Sequence, residues 1–146
     1  MQIETDALVM VLDGRKMLML RNHGDATYPN LKVETVEERE NPADRDQGTD
    51  RPGRIQSSAG TARSAMEEVD FHQQEEDRFA ADAAALLRER ALANEYESLI
   101  VVAPANTMGE LRKHYHKEVE RRLSGELTKD LASHPISEIE KILLAN

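Results

Sequence analysis

Two short apolar runs most constrain what this chain can fold into: Ala7–Leu12 (ALVMVL) and Leu99–Ala105 (LIVVAPA). Both fall far short of the ~20 residues that span a bilayer, so neither reads as a membrane segment. Ser98–Ala103 is apolar on both faces of an extended chain, as in an interior parallel strand. The first run leads into Asp13-Gly14, a turn dipeptide, and then into Lys16–Asn22 (KMLMLRN), which predicts a β-hairpin. Leu31, Val33 and Val36 alternate loosely with Lys32, Glu34 and Thr35, as in a third strand with one wet face.

Helical period takes over near Glu75. Phe79, Ala83, Leu86 and Leu87 share one face and predict a helix over 74–94, with Asn94 as its stop. Glu75, Glu76 and Asp77 then fall in the first turn, where carboxylates suit the positive end of the helix dipole. Thr107-Met108-Gly109-Glu110 has the capping-box pattern and predicts a helix start at Thr107, burying Leu111, Tyr115 and Val119. Spacing alone lets that helix run to Leu123, yet Leu123, Gly125 and Leu127 also permit a strand. Pro135 suits the first turn of a last helix carrying Ile136, Ile139 and Leu143. Strands followed by alternating β and α predict one mixed α/β sheet covered by helices, and 146 residues suit a single domain over 1–146.

Residues 37–66 break this pattern. Ile55 is their one large branched apolar residue, aromatics are absent, and Gly48, Gly53, Gly60, Pro42 and Pro52 interrupt regular structure. The segment reads as a long mobile loop that buries too little to offset its ordering entropy. Its arginines, above all Arg51, Arg54 and Arg63, are candidate contacts for phosphate or carboxylate.

Composition narrows the chemistry. With 28 acidic against 19 basic residues the net charge is −9, which opposes a generic nucleic-acid coat but permits a local basic patch. No cysteine is present, so disulfides and thiolate chemistry are excluded. MQIETD lacks a basic region followed by an apolar stretch, and no lipidation motif occurs, so a soluble, cytoplasmic chain is expected. Gly48 and Gly53 have phosphate-loop spacing, but Arg54-Ile55 follows in place of Lys and Ser or Thr. His114 and His116 point apart on a helix and predict no metal site. No cofactor is expected. The one local charge inversion spans 110–122, where Arg112, Lys113, Lys117, Arg121 and Arg122 outnumber Glu110, Glu118 and Glu120. With Thr107 at a helix N-terminus beyond a buried strand, Arg112, Lys113 and Lys117 are candidates to bind an anion or an acidic partner.

Four word strings carry a family resemblance: ENPADRDQGTDRPGR (Glu40–Arg54), AGTARSAMEEVDFHQQEEDRFA (Ala59–Ala80), GELRKHYHKEV (Gly109–Val119) and GELTKDLASHPISEIEKIL (Gly125–Leu143). The chain resembles the bacterial host attachment protein family over nearly its whole length. It departs from that family at Pro104-Ala105-Asn106, where two prolines and then a basic residue are common. The resemblance implies a fold similar to the middle domain of archaeal and eukaryotic class-1 release factors, a five-stranded mixed sheet of the ribonuclease-H-like type with about three helices. It also implies a fifth strand over Arg121–Thr128, parallel to the strand at 98–103, which in turn runs parallel to the first. The 37–66 loop falls where those factors carry Gly-Gly-Gln; this sequence has Gln56 and Gly60 there but no such tripeptide, so peptidyl-tRNA hydrolysis is not expected. The leading expectation is a non-enzymatic interaction or regulatory protein, with an unidentified protein partner, that influences attachment to host cells. The alternative is a release-factor-like module that contacts ribosome or tRNA through its local basic groups.

Overall fold

A computed structural model describes residues 1–40 and 61–146, with 61–69 as helix backbone only. Strands β1 (Leu8–Leu12), β2 (Lys16–Asn22) and β3 (Leu31–Glu38) precede helix α1 (Thr61–Leu92). Then come β4 (Leu99–Ala103), α2 (Ala105–His114), α3 (Lys117–Arg122), β5 (Leu123–Thr128) and α4 (Ile136–Leu144). The strands form one mixed sheet in the order β3-β2-β1-β4-β5. The N-terminal meander is antiparallel, while β1 pairs with β4 and β4 with β5 in parallel, as the resemblance implied.

The uninterrupted apolar runs occupy the sheet centre because both faces are covered. Leu8, Met10, Leu12, Leu99 and Val101 pack with Phe79, Ala83 and Leu87 of α1 and with Met108, Leu111 and Val119 beyond β4. The alternate residues Val9, Val11, Leu20, Ile100 and Val102 face Ile139 and Leu143 of α4. Leu99, Val101 and Val102 are fully buried, as two-sided apolarity requires. The edge strand β3 is wetter, and its register slips against Met19 and Leu20.

Three expectations are corrected. Helix α1 begins at Thr61, not near residue 74, because Ala, Arg, Met and Glu in 61–73 favour helix without supplying large apolar periodicity. Glu75, Glu76 and Asp77 are therefore mid-helix, and no dipole role falls to them. The loop expected over 37–66 is shorter at both ends: 37–38 complete β3 and 61–66 belong to α1, while 41–60 lie outside the described residues. The third concerns 107–123. The helix starts at Ala105 with Pro104 as its N-cap, and it stops at His114. Tyr115 and His116 turn extended, His116 Nδ1 accepts from the Glu118 amide (3.0 Å), and α3 runs to Arg122, so the fifth strand opens at Leu123. A recapped backbone interrupts what side-chain spacing alone reads as one helix. Four helices are described, one more than expected.

Asn94 does end α1. It sits at φ 59°, Asn94 N–H donates to Ala91 O (2.9 Å) and Glu95 N–H to Arg90 O (2.9 Å), which is a Schellman close. Beside it, Arg21 grips Glu34 of β3 through Nε (3.0 Å) and Nη2 (3.2 Å), and Arg90 of α1 reaches the same carboxylate (3.2 Å). The Arg21 hydrogen bonds hold the Glu34 carboxyl below its ordinary value of 4.5. A carboxyl depressed by folding stabilises above its unfolded value and loses that contribution as pH falls through the folded one. Stability should thus fall as the pH drops below the ordinary carboxylate range, and Glu34→Gln should flatten that slope in denaturant titrations run across pH. An unchanged slope would assign the acid sensitivity to other carboxylates.

Candidate functional site

Strands β1, β3, β4 and β5 run in one direction, so their carboxyl ends share one edge of the sheet. From β1 the chain turns to β2 on one side; from β4 it continues to β5 on the other. The crevice between β1 and β4 is therefore the topological switch point, where α/β folds tend to place ligands. Asp13 builds the turn on one side of it, its Oδ1 accepting from the amides of Arg15 (2.8 Å) and Lys16 (2.7 Å). On the other side α2 starts with no side-chain cap on its first amides.

The same edge is the root of the segment that joins β3 to α1. A Cβ built on Gly14 would lie 2.6 Å from Glu76 Cδ, so the β1–β2 turn rests against α1 at Glu76. The helix residues before Glu76 add ~22 Å at 1.5 Å each and run past that turn. Arg39, directly after β3, donates its amide to Arg15 O (2.8 Å) and a guanidinium N–H to Asp82 Oδ2 of α1 (2.6 Å). Its guanidinium carbon stands 4.9 Å from the centre of the Phe79 ring. A pocket of about 30 Å³ opens between Gly14, Arg39, His72 and Glu76. That pocket is too small for a small-molecule ligand, whereas an open groove of about 500 Å³ at the same edge, lined by Asp13, Lys16, Glu38, Arg39 and Ser133, falls in the range that holds one.

The basic cluster expected at 110–122 forms, but most of its charge is spent internally. Arg112 donates from Nη2 (2.8 Å) and Nε (3.2 Å) to Glu126 Oε1 of β5, and Tyr115 Oη donates to Oε2 of the same carboxylate (3.2 Å). Burial, reinforced by the Glu126 charge, raises the Tyr115 hydroxyl well above its ordinary value. Lys113 bonds Glu110 (3.0 Å), and this bond lowers the carboxyl and raises the ammonium. Arg121 (2.6 Å) and Arg122 (2.9 Å) both reach Glu118, with the Arg122 bond lowering that carboxyl most. Arg122 also donates to Tyr96 O (2.9 Å) and Glu118 O (3.0 Å), which makes it a structural brace. Lys117 is exposed at the first position of α3. Thr107 is the third residue of α2 and caps nothing, while Glu110 turns to Lys113 and His114 in place of the amide at 107. Arg51 and Arg54 lie outside the described residues, and Arg63 is in α1 with its side chain outside them.

Among the described residues no three His, Asp or Glu groups converge as metal ligands. His114 lies 3.5 Å from Glu110, and His116 caps α3. The pairing of Arg39 with Asp82 is not legible in the sequence, because the two are 43 residues apart with no shared motif. The available signal was the arginine that directly follows a strand at the start of the apolar-poor segment.

The model of bacterial archaeo-eukaryotic release factor family 12 matches residues 6–143. The chain belongs to that family. The host-attachment reading is thereby corrected: all four quoted strings fall within the span matched by a release-factor family, and nothing found points to attachment or adhesion. The expected release-factor-like architecture stands. Among solved structures, the chain is similar to an archaeal translation termination factor, aRF1, at 12% identity and a TM-score of 0.43. That similarity covers 95% of this chain and 35% of that one, so this chain spans about a third of that factor's length. No curated protein matches. No helix among the described residues is long and apolar enough to cross a membrane.

Proposed function

We propose that this chain is a release-factor-like module that binds the ribosome or tRNA without hydrolysing peptidyl-tRNA. The observation that carries the reading is family membership over residues 6–143. The absence of a Gly-Gly-Gln tripeptide argues for binding without hydrolysis. The contacts fall to Arg51 and Arg54, which follow β3 in the chain, and to Arg63 of α1, with Lys117 and the exposed Arg112 and Lys113 as a second set. Guanidinium groups grip phosphate bidentately without having to stabilise the fold. A chain of net charge −9 needs such local contacts, because its overall field repels RNA.

The test is co-sedimentation with ribosomes across a salt series. Binding should weaken as salt rises, because each phosphate contact releases counterions. Replacing Arg51, Arg54 and Arg63 together with Ser should leave the melting temperature nearly unchanged, since the sequence around them offers few core-forming side chains. The same variant should bind more weakly, its log–log salt slope shallower by roughly 2–3. Protein wholly in the free fraction at low salt sinks the proposal. Wild-type binding by the triple variant moves the contact to the Thr107–Lys117 region.

A further inference from the structure

An edge strand can recruit another strand, because one row of its backbone donors and acceptors is unpaired. β3 is such a strand, with β2 as its only strand neighbour among the described residues. Arg39 turns its amide inward to Arg15 O (2.8 Å), so the alternation of the strand turns the Val36 backbone outward. At the other end the Leu31 amide points outward to Glu140 Oε1 of α4 (2.8 Å). That contact closes the edge at Leu31, and two residues on the Val33 backbone again faces outward. Val33 and Val36 are 44% and 55% exposed, whereas β5, the opposite edge strand, exposes no large apolar side chain. The register slip beside Met19 and Leu20 makes Glu34 an extra residue, so both valines share the face of Leu18 and Leu20.

That extra residue makes β3 complementary to itself. A second copy paired antiparallel is related by a two-fold axis normal to the sheet, which preserves faces, so directly opposed residues must share a face. An axis between Glu34 and Thr35 meets this condition. Val33 then opposes Val36 of the second copy, and the exposed Lys32 opposes its exposed Glu37. Glu34, opposite Thr35, is already held by Arg21 and Arg90 and brings no unpaired charge to the seam. We propose that two copies of this chain join their β3 strands antiparallel over Lys32–Glu37, making one continuous sheet. Backbone bonds and the valine pairs supply the attraction, and the lysine–glutamate pairs fix the register. The seam is short and each copy carries a net charge of −9, so the dimer forms only at high concentration.

Analytical sedimentation of the full chain over a concentration series tests this, read together with amide hydrogen exchange. Wild type should pass from monomer to dimer as concentration rises toward about 1 mM, and the Val33 and Val36 amides should exchange more slowly as it does. Lys32→Glu and Glu37→Lys should each weaken dimerisation about tenfold, because each sets like charges opposite one another twice in a symmetric seam. Their melting temperatures should stay near that of wild type. An equimolar mixture of the two variants should recover the dimer, since the mixed pair brings opposite charges together at both positions. General repulsion predicts otherwise: Lys32→Glu makes the chain more acidic and Glu37→Lys less so, which would shift dimerisation in opposite directions. A chain that stays monomeric throughout leaves the edge to some other occupant and overturns the proposal. So does a dimer that leaves the Val33 and Val36 amides unprotected, a Glu37→Lys variant that dimerises more tightly than wild type, or a mixture no tighter than the single variants.

Discussion

Leu99→Ala is expected to lower the unfolding free energy by about 2–5 kcal/mol, the range for a leucine truncated in a packed core. Leu99 is fully buried in β4, level with Leu8 of β1 on one side and Leu123 of β5 on the other. Its side chain belongs to the cluster that includes Leu87 of α1 and Val119 of α3, so the sheet and two helices border the space a truncation would leave. Two parallel neighbours and a covering helix restrict how far that space can collapse. Leu99→Met, which keeps the volume, should cost less than about 1.5 kcal/mol. Denaturant titration of both variants checks the pair. A loss below about 1 kcal/mol for the alanine variant would mean that β4 is not the central strand its burial indicates.

The second large effect is polar. Asn22, at the end of β2, is the buried polar residue of the described core. Its Oδ1 accepts from the amides of Gly24 (2.9 Å) and Asn30 (2.8 Å), and its Nδ2 donates to the carbonyls of Ile3 (2.9 Å) and Glu4 (3.0 Å). One side chain thereby ties the N-terminal segment to both arms of the β2–β3 connection. Asn22→Ala strands these backbone groups, and an unsatisfied buried group costs about 1–3 kcal/mol, so the variant should lose at least about 3 kcal/mol in total. Asn22→Asp keeps the shape but turns an acceptor toward the Ile3 and Glu4 carbonyls. It should be destabilised at neutral pH and recover in part when acid restores a donor. Equal denaturation midpoints for Asn22→Ala and wild type would show that water replaces the amide without loss.

The sequence by itself determined the elements whose signal is local. Two-sided apolarity marks Leu99–Ala103 as an interior strand, Asp13-Gly14 marks the hairpin, and Asn94 marks the stop of α1, because each rests on one residue's backbone preference or on one short run. The word strings that suggested host attachment carried the correct architecture under the wrong family, since a shared fold does not specify what a surface binds. Tertiary structure decided the rest. The start of α1 at Thr61 is the exception, since helix propensity is also local to the sequence and is overlooked only when apolar period alone is followed. The break at Tyr115–His116 depends on a histidine nitrogen meeting the Glu118 amide, which spacing does not reveal. The basic patch of 110–122 is divided by Glu126, a residue of β5 that approaches Arg112 only once the sheet has formed. Asn22 and the Arg39–Asp82 pair have the same origin, as polar groups far apart in the chain find each other only after folding brings β2, β3 and α1 together. Apolar pattern is a local property that a chain carries before it folds, whereas hydrogen-bond partners across tens of residues are chosen by the geometry of the folded state.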